Sequence, residues 1–184
     1  GMIMTHADDD GLIVPPKVAP THVAVLPVTP KEDSREQVLN ACRKLADRLG
    51  EKTFAGSPLR VELDDRDLRG GEKYWQWVKK GIPLTVEIGP RDLENGTVFV
   101  GRRDQGAKRE GTDCEAFVDG IERTLEDIQK ILFDRALAFR EENTRTIDGK
   151  EELYAFFTSS NSEKPEIHGG FALVHWDRDP KWEE

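Results

Sequence analysis

The segment 64–104 holds the densest group of side chains that could do chemistry. Tyr74, Trp75 and Trp77 lie within four positions, with lysines and arginines on both sides of them. Aromatic rings stack on unpaired bases and cationic groups pair with phosphates, so this mixture is typical of a surface that binds single-stranded RNA. The same residues also fit an ordinary amphipathic helix, because Tyr74 and Trp77 share a helical face and Trp75 points elsewhere. We expect at least one of the three rings to be buried.

A pair of carboxylates, Asp64 and Asp65, directly follows a predicted strand. Ligands of α/β sheets bind beyond the carboxyl ends of the strands. The pair could therefore serve in general acid–base chemistry if both groups faced a pocket. A solvated pair is an equally good interpretation. A second acidic run, 8–10, has the composition of a solvated turn or a helix cap.

Several motifs are absent from the sequence. It contains no GxxxxGK[ST] or GxGxxG segment, so we expect no phosphate-binding loop. No HxxxH or CxxC spacing connects its four histidines and two cysteines, so we expect no bound metal. The isolated thiols of Cys42 and Cys114, and the lack of a signal-peptide pattern, favour a reducing, cytoplasmic setting.

Acidic residues outnumber basic ones. The 184 residues include 36 Asp and Glu against 27 Lys and Arg, which gives a net charge of -9. This balance counts against generic nucleic-acid binding, which is accompanied by a basic excess. The charge is uneven, because the segment from Arg60 to Arg109 contains 11 basic and 9 acidic residues. A local basic surface on an acidic protein is therefore compatible with the sequence.

Hydrophobic periodicity predicts the elements that must position these side chains. In chain order they are a buried strand at 22–28, a helix that ends at Gly50, a half-buried strand at 59–64, a short helix at 72–80, strands at 83–88 and 97–102, a long helix from about 112 to 143, a short helix at 150–157 and a strand at 170–176. The first strand–helix–strand unit implies a right-handed crossover and a parallel pair of strands. A mixed sheet with helices on both faces is the simplest solution.

Local signals refine the boundaries of these elements. Capping boxes are predicted at Asp33 and Thr112, each followed by a glutamate three residues later. Gly89-Pro90 predicts a turn, and Asn95-Gly96 is a typical hairpin sequence between two strands. The apolar positions of the first and the long helix, each spaced 4, 3, 4, are Val38, Cys42, Leu45 and Leu49, and Ile121, Leu125, Ile128 and Leu132.

Three segments together resemble one protein family. THADDDGLIVPPKVAP resembles the segment that closes the catalytic domain of prolyl-tRNA synthetases, and DDRDLRGGEKYWQWVKKGIPLTVEIGPRDL resembles the centre of their anticodon-binding domain. RALAFREENT and GGFALVHWD resemble the C-terminal extension of the archaeal/eukaryotic-type enzymes. The resemblance covers essentially the whole chain, and its GxPLxxEIGPRDL stretch is specific.

The resemblance implies an α/β fold. We expect a Rossmann-like anticodon-binding domain, with a mixed five-stranded sheet flanked by helices, followed by a small α+β C-terminal domain. The implied boundaries are 1–20 for the tail of the catalytic domain and a linker, 21–125 for the anticodon-binding domain, and 126–184 for a truncated C-terminal domain.

The family's activity is expected to lie outside this chain. Its members are class II synthetases that activate proline with ATP and Mg²⁺, attach it to tRNA and work as homodimers. The catalytic domain precedes the segments matched here, so we expect no catalytic residue and no cofactor in this chain, which could be a monomer. Many relatives carry four zinc-binding cysteines near the C-terminus, but Trp176-Asp177 stands where the first is expected and no cysteine follows Cys114. Zinc is therefore not expected.

The resemblance also implies a site for the anticodon loop of proline tRNA. Proline tRNAs share guanines at the second and third anticodon letters, and a guanine edge offers two donors and one acceptor. A carboxylate of Asp65, Glu87 or Asp92 is expected to accept from a guanine. Arginines are expected to hold phosphates or O6, and Trp77 to pack under the loop. The full set of implied anticodon-binding residues is Asp65, Arg66, Lys73, Trp77, Glu87, Arg91, Asp92 and Arg103.

Two other functions remain open at this point. An acidic α/β module that binds proteins and no RNA would explain the net charge of -9 directly. A small-molecule enzyme built on Asp64 and Asp65 is the second alternative, although no nucleophile–base pair or metal motif supports it. Salt distinguishes the possibilities, because RNA binding weakens steeply with ionic strength and an apolar protein contact does not.

Overall fold

The computed structural model describes residues 1–29, 34–106, 108–159 and 170–175. The chain divides into two units, 1–133 and 134–184. The strands of the first unit are β1 (Val23–Pro27), β2 (Thr53–Phe54), β3 (Ser57–Pro58), β4 (Val61–Leu63), β5 (Leu84–Ile88), β6 (Thr97–Arg102) and β7 (Arg109–Asp113). Its helices are α1 (Met2–His6), α2 (Arg35–Gly50), α3 (Gly70–Lys80), α4 (Pro90–Asn95) and the greater part of α5 (Cys114–Glu142).

One sheet of five strands, in the order β4-β1-β5-β6-β7, organises the first unit. β4, β1 and β5 are parallel, and β6 is antiparallel to both β5 and β7. This confirms the expected mixed five-stranded sheet. The fifth strand, β7, was not predicted, because its sequence REGTD is polar and largely exposed and has no apolar alternation. Hydrogen bonds to β6 define it instead.

The two faces of the sheet are buried by different helices. Beneath α2 and α5, the core contains side chains from β1, β5 and β6 together with the predicted apolar positions of both helices. On the other face, α3 packs Tyr74, Trp77 and Val78 against Ala24 and Leu26 of β1. Every residue of β1 is buried, as its continuous apolar run predicted. Each fully buried Leu or Val contributes about 1.5–3 kcal/mol.

The connection between β5 and β6 differs from the prediction. The two strands are antiparallel, but the helix α4 joins them and there is no tight hairpin. Pro90 occupies the first helical position, where its fixed φ and missing N–H are favourable. Gly96 ends the helix with φ of 66°, a left-handed conformation that suits glycine. The predicted turn and hairpin signal are thus the start and the stop of a short helix.

The helix caps also correct the sequence analysis. α5 begins at Cys114, and its capping group is the Asp113 carboxylate, which accepts from the Ala116 N–H at 2.9 Å. Thr112, the predicted cap, lies in β7. The cap predicted at Asp33 falls outside the described residues.

The second unit contains the end of α5, β8 (Thr144–Thr146), α6 (Lys150–Phe157) and β9 (Phe171–Leu173). β8 and β9 form a parallel pair. The predicted short helix and terminal strand are therefore present. The boundary predicted after residue 125 and the division observed after Phe133 both fall inside α5. In the parts of the chain that the structure describes, no helix combines the length and apolar character needed to cross a bilayer.

Candidate nucleic-acid interface

The carboxyl ends of three parallel strands lie at one edge of the sheet. The loop 64–69 follows β4, residues 87–92 include the end of β5 and the start of α4, and the first turn of α3 lies beside the end of β1. A Cβ added to Gly70 would lie 3.7 Å from Cγ2 of Val28, which shows how closely α3 approaches β1. We call residues 64–72 and 87–92 the carboxyl edge. It gathers most of the predicted site residues.

Asp64 is the buried centre of the loop at this edge. Its carboxylate accepts from Arg66 Nε at 2.7 Å and Nη2 at 2.6 Å, and from the Trp77 indole N–H at 2.9 Å. The bonds from Arg66 are the main cause that lowers the Asp64 pKa to about 2, and burial opposes them. The group is therefore ionised near neutral pH. The sequence predicted a binding role for the neighbouring Asp65 and did not predict that Asp64 is the buried acceptor for Arg66 and Trp77.

Lys73 and Trp77 lie beneath the loop. Both side chains are buried on α3, and Lys73 Nζ donates to the Asp64 carbonyl oxygen at 3.0 Å. Burial lowers the Lys73 pKa. The Trp77 ring lies beneath the protein loop 64–69, and its indole N–H donates to Asp64 Oδ2. These two residues fix the loop from inside, and neither offers its polar group to solvent.

Three predicted residues present their side chains at the surface. Asp65 and Arg91 are exposed, and neither has a hydrogen-bond or ion-pair partner among the described residues. Arg66 is half exposed, and Nη1 of its guanidinium donates to Gln76 Oε1 at 2.8 Å. These three residues therefore offer an unengaged carboxylate, an unengaged guanidinium and one hydrogen-bonded guanidinium to a ligand.

The other two predicted carboxylates at this edge have partners within the fold. Asp92 accepts from the Gly89 N–H at 2.8 Å and caps α4. Glu87, half-buried on the α3 face of the sheet, accepts from Arg109 Nη1 at 2.5 Å. The Arg109 guanidinium lies 4.5 Å from the centre of the Tyr74 ring. Arg109 was not among the predicted site residues, because it lies in the unpredicted strand β7.

Arg103 lies at the opposite edge of the sheet, away from the other predicted residues. β6 is antiparallel to β5, so its last residue Arg102 pairs with Leu84 at the start of β5. The buried Arg103 guanidinium donates to Asp8 Oδ2 at 2.7 Å and to the Leu12 carbonyl at 3.0 Å. The structure thus separates Arg103 from the carboxyl edge and places it against the N-terminal segment.

Two exposed aromatic residues near this edge were not predicted as site residues. Phe99 on β6 and Trp75 on α3 are both exposed. The alternation in TVFVGR carries the signal for Phe99, because Val98 is buried in the core under α2 and α5 while Phe99 points to the other face.

Within the described residues, no group of three or more His, Cys, Asp or Glu side chains is arranged to hold a metal ion.

The fold and this edge match a known domain. Residues 22–124 match the family described as "Anticodon binding domain". This is more than half of the chain, and the chain belongs to that family.

Longer relatives connect the domain to one enzyme. The chain is 48% identical over 184 residues to proline–tRNA ligase 2 of Anaeromyxobacter dehalogenans, a match that covers 97% of this chain and 36% of the relative. It is 46% identical over 185 residues to the proline–tRNA ligase of Protochlamydia amoebophila, covering 100% of this chain and 36% of the relative. The chain spans about a third of the length of these relatives. The resemblance to prolyl-tRNA synthetases is confirmed, and a protein-interaction module without RNA binding is not favoured.

Proposed function

We propose that this chain binds the anticodon loop of proline tRNA as the recognition part of a longer proline–tRNA ligase. One observation carries the proposal. An anticodon-binding fold presents the exposed, unengaged side chains of Asp65 and Arg91 at the carboxyl edge of its sheet, where α/β folds bind their ligands.

The chemistry of these groups suits guanine. A carboxylate accepts from both N1–H and the exocyclic amine of a guanine, and a guanidinium donates to O6 or to a phosphate. Asp65 would supply the first contact, and Arg91 the second. Because Asp64, Lys73 and Trp77 hold the loop from beneath, little ordering is required when the RNA binds, which favours affinity.

The net charge of -9 agrees with this mode of recognition. Reading a guanine edge uses a carboxylate, so the interface needs no large basic patch. The affinity should still fall as salt rises, because each phosphate contact changes the slope of log K against log salt concentration by about -0.7 for a single strand.

The remaining steps belong to the parent protein in this proposal. ATP, Mg²⁺ and proline would bind in the part of the ligase outside this chain, which would also build a homodimer. This chain would be a monomer with no catalytic residue and no cofactor, and the parent would work in the cytoplasm. Pyrophosphate exchange by the isolated chain would contradict this division of labour.

Fluorescence anisotropy tests the proposal directly. The chain is titrated with a labelled proline-tRNA anticodon stem-loop and with a matched stem-loop in which the second and third anticodon letters are changed. We expect binding to the first and a clear loss of affinity for the second. Equal affinity for both, or binding to neither, would contradict anticodon reading by this chain.

A further inference from the structure

One part of the sheet surface has an unusual composition. On the α3 side of β6 and β7, Phe99 is 41% exposed. It pairs with Glu87 on β5 and with Gly111 on β7. A Cβ added to Gly111 would lie 3.5 Å from the Phe99 ring, so the glycine leaves that ring lying against bare backbone. The result is a flat aromatic surface that reaches solvent.

Phe99 is paired in register with Glu87, and a series of side-chain contacts extends from Glu87 to α3. Glu87 holds Arg109 Nη1 at 2.5 Å, and the Arg109 guanidinium lies 4.5 Å from the Tyr74 ring centre. Tyr74 in turn meets the exposed Trp75 ring edge-to-face, with 5.6 Å between the centres. We call Trp75, Tyr74, Arg109, Glu87 and Phe99 the stacking surface.

The position of this surface relates it to the carboxyl edge. Glu87 belongs to both, and β6 begins at that edge two residues before Phe99. We therefore expect unpaired nucleotides of an RNA loop read at Asp65 or Arg91 to reach this surface.

The composition favours a nucleobase over a protein as the ligand. The centre of a protein–protein interface is depleted in charged residues, whereas this surface alternates aromatic rings with the ion pair of Glu87 and Arg109. Aromatic rings with a neighbouring arginine are what single-stranded nucleic acids use for sequence-tolerant stacking. Isolated exposed apolar residues need no explanation. Here two exposed aromatic residues, Phe99 and Trp75, lie on the same side of the sheet as the ion pair of Glu87 and Arg109.

We propose that Phe99, flanked by Arg109, stacks on an unpaired base of the anticodon loop and supplies affinity that is independent of the anticodon letters. This inference rests on the proposed function and adds a second kind of contact to it. The carboxyl edge distinguishes anticodons, and the stacking surface strengthens binding to all of them.

The test measures affinity and discrimination separately. The full chain and its Phe99→Ala, Phe99→Leu and Phe99→Trp variants are titrated with the cognate and the changed stem-loops. Phe133, 61% exposed on α5, provides the matched control Phe133→Ala. We expect Phe99→Ala and Phe99→Leu to weaken binding of both RNAs about tenfold, with their ratio unchanged. Phe99→Trp and Phe133→Ala should bind like the unaltered chain.

A spectroscopic experiment locates the base. 2-Aminopurine is placed in turn at each unpaired position of the loop, and its fluorescence is followed on binding. We expect quenching at one position with the unaltered chain and no such quenching with Phe99→Ala.

Three results would overturn the inference. Equal affinities of Phe99→Ala and Phe133→Ala would exclude a contact at Phe99, and normal binding by Phe99→Leu would indicate an apolar contact without stacking. A concentration-dependent dimer that Phe99→Ala abolishes, with RNA affinity unchanged, would assign the surface to a second copy of the chain. If the unaltered chain does not discriminate between the two stem-loops, that result contradicts the proposed function itself. It is obtained before any variant is measured, so it is distinguishable from a failure of the inference about Phe99.

Discussion

The two edges of the sheet use the same pair of residue types in opposite ways. At the carboxyl edge the carboxylate of Asp64 is buried, with 1% of its side chain exposed, while its partner Arg66 is 47% exposed. At the opposite edge, where β5 begins and β6 ends and which we call the amino edge, the exposures are reversed: Arg103 is 2% exposed and Asp8 40%. The buried member of each pair is the one that the fold requires. The exposed member at the carboxyl edge is available to a ligand, and the one at the amino edge belongs to the segment being held.

Loss of Arg103 tests the amino edge and should have the largest effect. Arg103→Ala leaves the Leu12 carbonyl without its donor, removes one of the two donors to the Gly11 carbonyl and takes the ion-pair partner from Asp8. We expect the free energy of unfolding to fall by about 3 kcal/mol, the low end for a broken buried pair because Asp8 is partly exposed. Urea denaturation measures the change.

The control for Arg103→Ala is Arg91→Ala, which removes an exposed guanidinium and should leave stability unchanged. At temperatures where Arg103→Ala is folded, its affinity for the cognate stem-loop should equal that of the unaltered chain. Reduced affinity would show that the amino edge contributes to the RNA site.

Loss of the Asp64 charge tests the carboxyl edge and should have an intermediate effect. The folded pKa of about 2 lies below the ordinary value of 3.8. The ionised group therefore contributes stability that is fully present above pH 3.8 and is lost as the pH falls toward 2. We expect Asp64→Asn to lower the free energy of unfolding by about 2 kcal/mol at pH 7. The same difference, measured by urea denaturation at pH 2.5, should be clearly smaller.

Asp65→Asn is the matched control for the Asp64 experiment, because it removes a neighbouring carboxylate that is exposed. Its stability should follow that of the unaltered chain at both pH values. An Asp64→Asn deficit that stays constant from pH 7 to pH 2.5 would mean that hydrogen-bond geometry, and not charge, is what Asp64 contributes.

Asp65→Asn should have the smallest effect, one confined to binding. We expect about tenfold weaker binding of the cognate stem-loop, as for the loss of one good base contact, and less discrimination against the changed stem-loop. Anisotropy measures both. If Asp65→Ala and Arg91→Ala both bind the cognate RNA normally, the carboxyl edge is not where the anticodon is read.

The elements with apolar periodicity were predictable from the sequence. The strand β1 and the buried positions of α2 and α5 could be predicted, because burial of one side of an element gives its apolar residues a regular spacing. β7 was not, since its polar residues are ordered by hydrogen bonds to β6 and not by burial. The helix α4 was not predictable, because a proline and two glycines within the eight residues 89–96 signal a turn and a helix terminus equally well.

The location of the candidate site was predictable from the sequence, whereas the roles of its individual residues were not. The segment 64–104 was identified by residue type, but the roles within it depend on direction. Asp64 and Asp65 are neighbours in sequence, yet one is buried and the other exposed, because successive side chains of an extended segment point to opposite sides. Arg103 was grouped with the site by its place in the sequence, whereas the antiparallel direction of β6 carries it to the far edge.

The attachment of the N-terminal segment to the amino edge bears on where a minimal folding unit begins. The family match starts at residue 22, yet Ile13 and Val14 are buried, and the Val14 N–H donates to the Gly81 carbonyl at 3.0 Å. A shortened protein that starts at residue 22 would lose these contacts, and the Arg103 guanidinium would lose its partners Asp8 and Leu12. A shortened protein should therefore start ahead of Asp8, so that the N-terminal segment is retained and its contacts stabilise the domain.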